Sequence, residues 1–108
     1  VIAPGAAMAV EALADACDQL PRISLEAPKE VIGKNTVDCM KSGAVYGAAA
    51  MLDGLIERME RQLGRSCTVV ATGSLAETIV LCCSREIPVD EHLLLKGLRL
   101  IYEKNTRR

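Results

Sequence analysis

A long helical pattern with three glycines inside it dominates the sequence between Val31 and Gly64. After a turn at Gly33, apolar residues recur three and four positions apart, as they do along the face of one long helix. Asn35 is a suitable N-cap, because its side-chain oxygen can accept a hydrogen bond from a backbone N–H one turn later. Thr36 is therefore expected at the first helical position, and Gly64 is expected to end the helix.

The glycines of this helix lie on one line along it. Gly43, Gly47, Ala50 and Gly54 are spaced four, three and four apart. Each helical glycine costs about 1 kcal/mol relative to alanine, so three cost about 3 kcal/mol, which close approach of another helix would offset. Such small-residue seams are known from membrane helices, but the charged residues between 53 and 61 exclude a membrane span. The seam could join two copies of the chain or two helices of one chain, and the glycines could also simply be tolerated.

The segments before and after the long helix predict further elements. Helical spacing from Ala6 to Leu20 predicts a helix that Pro21 ends. Residues 67–72 are rich in β-branched residues and predict a strand that is buried on both faces. The first five residues, V-I-A-P-G, resemble the end of a strand, and the chain is expected to be a piece of a longer protein.

The remainder of the chain predicts two helices around a second strand. Residues 74–77 form a capping box, Ser-Leu-Ala-Glu, which predicts a helix from Ser74 to about Cys83. Residues 87–89 predict a short edge strand, because Pro88 cannot donate to a ladder. Asp90 is expected to cap a last helix, in which the residues expected to face inward are Leu94, Leu98 and Ile101. Strands that alternate with helices favour an α/β fold, helix-rich in this chain, with a long central helix and two complete strands.

Composition narrows the classes of protein and site. The chain has 108 residues, which suits one domain at most, and a net charge of −1 with a pI of about 5.8. That balance gives no reason to expect a nucleic-acid or membrane partner. The presence of only one histidine and the absence of a C-x-x-C pair argue against a metal site. The sequence shows no recognisable pair of a catalytic nucleophile and its general base. The five cysteines indicate reduced, mostly buried thiols of a cytoplasmic protein.

Two turns are candidate ligand sites. Gly33 to Thr36 leads into a helix N-terminus, where free backbone N–H groups favour an anionic or polar ligand. Thr72-Gly73-Ser74 follows a predicted strand and opens a helix, and ligands of open α/β sheets bind at that edge. From the residues alone, ordinary turn and capping chemistry is the favoured explanation of both turns, and a ligand site is the alternative. The pair Gly33-Lys34 does not belong to a P-loop, because neither the first glycine nor the final serine or threonine of that motif is present.

Taken in order, the motifs of the chain resemble the C-terminal half of type III pantothenate kinase. They are V-I-A-P-G at the start, G-K-N-T with M-K-S-G soon after, A-T-G-S-L-A, and G-L-R-L-I-Y-E-K-N near the end. The resemblance implies a partial domain of the actin-like, ribonuclease-H-like ATPase superfamily. It also implies a cytoplasmic homodimeric transferase that phosphorylates pantothenate with ATP in coenzyme A biosynthesis, using Mg²⁺ and a monovalent cation, K⁺ or NH₄⁺.

The resemblance also assigns roles to residues of this chain. It implies that Thr36, with Asn35, contacts pantothenate, and that Gly73, with Thr72 and Ser74, lines the nucleotide site. The long helix would be the dimer helix, with Gly43, Gly47 and Gly54 at its interface. Two positions depart from the family pattern: Ser74 stands where a second glycine is common, and Lys41 stands where glutamine often follows the methionine.

The resemblance places no catalytic residue and no metal ligand in this chain. The family's D-x-G-N-T phosphate loop, its catalytic aspartate and its cation-binding aspartate would precede Val1 in a companion N-terminal half. Residues 1–108 are therefore expected to be inactive alone, since phosphoryl transfer depends on positioning and on metal-assisted charge neutralisation. The alternatives are a non-catalytic regulatory homologue on the same fold, or another actin-like kinase.

Overall fold

A computed structural model describes residues 1–107 of the chain. It contains four helices, which are α1 (Ala6–Ala16), α2 (Thr36–Leu63), α3 (Ala76–Val80) and α4 (Leu93–Thr106). Helix α2 has 28 residues and is the centre of the fold, because α1 and α3 both pack against it. Helix α4 contacts none of the other three helices.

The long helix begins and ends where the sequence predicts. Asn35 is the N-cap, and its side-chain oxygen accepts a hydrogen bond of 2.9 Å from the backbone N–H of Asp38. Gly64 ends the helix in the left-handed conformation with φ of 71°, which glycine adopts without steric cost. Thr36 is the first helical residue, as expected.

Helix α1 is shorter than the predicted helix from Ala6 to Leu20. It ends at Ala16, and Cys17 is extended with φ of −126°. Leu20 donates its N–H to the carbonyl of Cys17 in a short turn. The residue before a proline is disfavoured in the helical region, so Leu20 cannot continue a helix into Pro21.

Two small clusters of aliphatic side chains form the core. The first contains Ala6 of α1, Val45 and Ala49 of α2, and Ile79 of α3. Val45 is fully buried at 0% exposure. A second cluster joins Ile56, Val80 and Ile87. The core therefore runs along one side of α2 and has no aromatic residue in either cluster.

The prediction of two complete strands is wrong for the residues that the structure describes. Segments 67–72 and 87–89 meet only in an isolated parallel bridge between Ala71 and Val89. The N–H of Ala71 donates to the carbonyl of Pro88, and the N–H of Asp90 donates to the carbonyl of Ala71, both at 2.9 Å. Pro88 has no N–H to extend this pairing, and two isolated strands are marginal without further neighbours. The parallel direction still agrees with an α/β arrangement.

Ser74 does not cap a helix as predicted. Helix α3 begins at Ala76 with Leu75 in the N-cap position, and no side chain bonds to the helix start. The N–H of Ala76 donates to the carbonyl of Gly73 at 3.2 Å, so Ser74 lies inside a turn instead of before a helix. The helix ends at Val80, before the predicted end near Cys83.

Helix α4 does not turn its apolar side inward. Its N-cap position is His92, and Asp90, two residues earlier, accepts the N–H of His92 at its Oδ1. Leu94, Leu98 and Ile101 are 74%, 53% and 59% exposed, so the prediction that they face inward is wrong in this chain. The reason is that no other helix of the described chain lies against α4.

The overall shape is extended for a chain of this length. The radius of gyration is 17.1 Å, whereas a compact domain of about 100 residues has about 13 Å. All five cysteines are unpaired, and none is buried, so the prediction of mostly buried thiols is also wrong. Within residues 1–107, every helix is too short or too polar to cross a lipid bilayer.

Candidate functional site

The turn before α2 borders a cavity of about 560 Å³. The cavity is lined by residues 33–36, by Cys39, Met40 and Gly43 of α2, and by Leu13 and Leu20. The two residues that the sequence assigns to substrate contact, Asn35 and Thr36, therefore border the same cavity. This cavity is shallow and largely open to solvent, so it offers a surface for a small molecule and not an enclosed pocket.

Asn35 and Thr36 have different roles in this turn. Both polar atoms of the Asn35 side chain are engaged, since Oδ1 accepts from the N–H of Asp38 and Nδ2 donates to its carboxylate at 3.0 Å. The Thr36 side chain is exposed, and its hydroxyl has no hydrogen-bond partner among the described residues. The cap thus fixes the helix start and leaves the Thr36 hydroxyl available to a ligand.

Gly33 packs directly against the first turn of α2. A Cβ atom at this position would stand 2.6 Å from the backbone nitrogen of Cys39 and 2.9 Å from the carbonyl carbon of Asp38. Both atoms are backbone, and the N–H of Cys39 is held by the carbonyl of Asn35 at 2.9 Å. Only glycine allows the connector to approach the helix this closely.

Three side chains of α2 bind the connector that leads into this turn. The hydroxyl of Tyr46 donates to the carbonyl of Pro28 at 2.6 Å, and the hydroxyl of Ser42 donates to the carbonyl of Val31. Lys41 lies 3.6 Å from the carboxylate of Glu26. The hydroxyl of Ser24, and then the charge of Lys41, hold the pKa of Glu26 below its ordinary value.

The contacts of Ser42 and Tyr46 with the connector were not predicted from the sequence. Ser42 is 6% exposed and is the only buried polar residue among those described. Ser42 and Tyr46 stand four apart, so they lie on one side of the helix. The sequence did contain a signal for these contacts, which is a serine and a tyrosine four residues apart inside an otherwise apolar pattern.

The surroundings of the turn suit a ligand with acceptor groups. Lys34 borders both this cavity and a neighbouring one of about 360 Å³, which Lys29 also borders. The N-terminus of a helix adds the equivalent of about half a positive charge and free N–H groups. Carboxylate and hydroxyl oxygens therefore match this end of α2 chemically.

The second candidate turn borders a different cavity. Gly73 has φ of 119°, a conformation that side-chain-bearing residues rarely adopt. Residues 72–74 line a larger, mainly apolar groove of about 790 Å³. Thr72 and Ser74 are exposed, and their hydroxyls make no hydrogen bond within residues 1–107. The two predicted sites do not share a cavity in this structure.

The glycine line of α2 is open to solvent. Gly43 and Gly47 are exposed and Gly54 is partly exposed. A Cβ atom added at any of the three would meet no atom of the described chain within 4 Å. Within residues 1–107, no other helix packs against these glycines. A second copy, a part of the protein outside this chain, or simple tolerance of the glycines is each consistent with this exposure.

Ionic contacts tie the end of α2 to the segment after α3. Arg85 lies 2.8 Å from the carboxylate of Glu60, which also accepts the N–H of Cys67. Arg85, and then this N–H, hold the pKa of Glu60 below its ordinary value. Asp53 accepts the N–H of Ser84 at 2.8 Å, and its other carboxylate oxygen is buried without a partner among the described residues.

The residues present do not form a metal site. Over residues 1–107, no three His, Cys, Asp or Glu side chains are grouped so that they could hold a metal ion. Burial, and then the charge of Asp53, raise the pKa of the Cys83 thiol, which disfavours the thiolate that binds metals or attacks substrates.

Comparison with known proteins identifies the family. The family model for type III pantothenate kinase matches residues 1–58. Curated proteins named type III pantothenate kinase are 48% identical in an Exiguobacterium species, over 99% of this chain, and 44% identical in Frankia alni, over 97%. A third, from a Roseiflexus species, is 46% identical over 96% of this chain. The chain spans about 42% of the length of the first two relatives and 41% of the third. A match over more than half of the chain, together with these relatives, shows that the chain belongs to the type III pantothenate kinase family.

Proposed function

We propose that this chain is the substrate-contacting and dimerising part of an enzyme that phosphorylates pantothenate with ATP, in the pathway to coenzyme A. The observation that carries the proposal is the free hydroxyl of Thr36, at the start of α2 and beside a cavity of about 560 Å³, in a chain of the type III pantothenate kinase family. Both the substrate and the reaction come from the family, since the chain spans less than half of its relatives.

In this proposal Thr36 contacts pantothenate and Asn35 positions it. Pantothenate carries a carboxylate and hydroxyl groups, which are the acceptors that a helix N-terminus and Lys34 attract. Asn35 caps α2 through both of its side-chain polar atoms, so it fixes the orientation of the first turn. Gly33 brings the connector against that turn, and Ser42 and Tyr46 hold the connector in place.

The turn of residues 72–74 is proposed to border the nucleotide. Gly73 gives the turn its left-handed conformation, and the hydroxyls of Thr72 and Ser74 are free to bind. Among the described residues, no three His, Cys, Asp or Glu side chains are grouped so that they could hold Mg²⁺. Those ions and the catalytic carboxylate are therefore assigned to the part of the enzyme outside this chain.

The exposed glycine line is proposed to be the seam of a homodimer. Gly43 and Gly47 have open space around them in the single chain, so a second α2 could approach the backbone closely. Such contact would offset the cost of about 1 kcal/mol that each helical glycine carries.

The test is an assay of ATP-dependent phosphorylation of pantothenate by the complete protein and by residues 1–108 alone. We expect turnover only from the complete protein, because the chain provides binding groups without metal-holding or catalytic groups. Turnover by residues 1–108 alone would contradict this division of roles. If the complete protein binds pantothenate without phosphorylating it, the regulatory alternative replaces the kinase.

A further inference from the structure

The connector before α2 is attached to that helix in a fixed register. The hydroxyl of Tyr46 donates to the carbonyl of Pro28 at 2.6 Å. Four residues nearer the start of α2, the hydroxyl of Ser42 donates to the carbonyl of Val31. Gly33 then lies against the backbone of the first turn of α2. The connector therefore runs antiparallel to α2, and its main chain is held at successive points up to the turn.

Ser42 and Tyr46 can act on the cavity at the start of α2 only through the connector. Neither residue lines the cavity of about 560 Å³. Both hydroxyls bond to main-chain carbonyls, so they fix the path of the backbone and not the position of one side chain. Ser42 is 6% exposed, so water does not readily replace its hydrogen bond. Loss of either hydroxyl would loosen the residues that lead to Gly33 and Lys34.

Lys34 follows the attached segment and has a charged group free for a ligand. Its side chain is exposed and borders the same cavity as Thr36. Glu30 and Asp38 border the neighbouring cavity with Lys34, yet Lys34 forms no ion pair within residues 1–107. An ammonium group has three donors and no acceptor, so Lys34 can bind an anionic oxygen at this cavity.

The two ends of pantothenate differ in the way that Lys34 and Thr36 differ. Pantothenate carries its carboxylate at one end and the hydroxyl that accepts phosphate at the other. A charged donor forms its strongest hydrogen bonds with a carboxylate, whereas a neutral hydroxyl has no such preference. A contact with the carboxylate is far from the reacting hydroxyl, so it contributes equally to the bound substrate and the transition state. Its loss would weaken binding and leave kcat unchanged.

We propose that Lys34 binds the carboxylate of pantothenate, and that Ser42 and Tyr46 are positioning residues that act through Lys34 by holding the connector. This inference rests on the proposed function, in which the turn before α2 contacts pantothenate. It adds the residue that recognises one end of the substrate and the two residues that place it.

The experiment measures the Kd of pantothenate by titration calorimetry of the complete protein, with a non-hydrolysable ATP analogue present. Lys34→Met should weaken binding by about tenfold or more, because it removes a charge-assisted contact, and Lys34→Arg should retain most of the affinity. Lys29 is the matched comparison, since it lies on the same connector and borders only the neighbouring cavity. Lys29→Met should weaken binding by less than about threefold. Equal effects of the two methionine variants would overturn the inference, because they would show general charge attraction instead of a contact.

Two further variants test whether the positioning residues act through Lys34. Tyr46→Phe and Ser42→Ala should each raise the Kd by about twofold to tenfold, and should add little to Lys34→Met, because all three affect one contact. Tyr102→Phe is the control, since Tyr102 is 69% exposed in α4 and should leave the Kd unchanged. The kcat and the KM for ATP should stay near wild type in every variant. A fall in kcat, or effects that add fully to Lys34→Met, would show a structural role and contradict the positioning role.

Pantothenol, in which an alcohol replaces the carboxylate of pantothenate, tests which end of the substrate Lys34 binds. We expect it to bind wild type about tenfold more weakly than pantothenate does, and to bind Lys34→Met as well as it binds wild type. Tighter binding of pantothenol to wild type than to Lys34→Met would contradict the assignment. Failure of pantothenol to bind at all would contradict it too, because loss of one contact does not abolish binding.

These measurements separate the inference from the proposed function. A complete protein that binds pantothenate without phosphorylating it would contradict the kinase and leave the affinities to decide the role of Lys34. Normal turnover with unchanged affinity in Lys34→Met would keep the kinase and overturn the inference. Absence of pantothenate binding would overturn both.

Discussion

Replacing Gly33 with alanine tests whether the turn before α2 positions the substrate. The new Cβ would stand 2.6 Å from the backbone nitrogen of Cys39, about 0.8 Å short of ordinary contact at 3.4 Å. The helix cannot yield easily, because the N–H of Cys39 is bonded to Asn35. The turn must therefore move by most of that distance, and Lys34, which borders the same cavity as Thr36, moves with it.

The size of the effect follows from that displacement. Overpacking of this kind costs about 1–3 kcal/mol in stability. A misplacement of about 1 Å in a group that orients a substrate can cost about a hundredfold in rate. We expect Gly33→Ala in the complete protein to lower kcat/KM for pantothenate by about tenfold to a hundredfold, with the KM for ATP little changed.

Steady-state kinetics of the purified complete protein provide the assay, and Gly97→Ala provides the control. Gly97 lies in α4, and a Cβ there meets no atom of residues 1–107 within 4 Å, so the same chemical change should leave the kinetics of both substrates unaffected. Wild-type pantothenate kinetics in a folded Gly33→Ala protein would refute the reasoning that this turn holds the substrate.

Two further predictions concern the dimer seam and the ion pair at the end of α2. Gly47→Leu should overpack the dimer seam, at a cost of about 1–3 kcal/mol in stability. Sedimentation velocity of the complete protein should then show a shift from dimer toward monomer. An unchanged dimer would show that the glycines face something else. Arg85 and the N–H of Cys67 lower the pKa of Glu60. The Glu60 carboxylate therefore stabilises the folded chain at pH values above 4.5, its ordinary pKa. This stabilisation is lost as the pH falls through the lower pKa that Glu60 has in the folded state. Thermal unfolding should therefore show Glu60→Gln less stable than wild type at pH 7 and equal to it in acid; a difference that stays constant with pH would contradict this.

The long helix was predictable because its signals are local. Asn35 and Gly64 determine its ends through their own backbone and side-chain chemistry, and the structure confirms both. The family was predictable because short motifs in the sequence carry it. The parallel direction of segments 67–72 and 87–89 was predictable from the alternation of strand and helix patterns along the chain. Membership of the family implies an actin-like fold for the complete protein.

The wrong predictions concern segments whose structure depends on distant neighbours. A strand forms a ladder only beside other strands, and residues 67–72 have one short, proline-interrupted neighbour in the described chain. Leu94, Leu98 and Ile101 carry the pattern of an inward face, but no other helix of the described residues packs against α4. Ser74 has the sequence of a cap, yet the left-handed Gly73 places it in a turn.

The same distinction between local and distant contacts applies to the candidate site. The cap at Asn35 and the free hydroxyl of Thr36 follow from residues that are adjacent in sequence. The contacts that hold the connector, from Ser42 to Val31 and from Tyr46 to Pro28, join residues 11 and 18 positions apart. No local pattern specifies such contacts, so only the structure reveals them.

Substitution of Thr36 by valine in the complete protein tests the central claim most directly. Valine keeps the shape of the side chain and removes the hydroxyl, which costs about 0.5–1.5 kcal/mol for a neutral hydrogen bond and up to about 3 kcal/mol if a charged partner is left unpaired. We predict that kcat/KM for pantothenate falls by about threefold to a hundredfold, that Thr36→Ser retains most of it, and that the KM for ATP stays near its wild-type value. Weakened ATP binding with intact pantothenate kinetics would contradict the assignment of this turn to pantothenate.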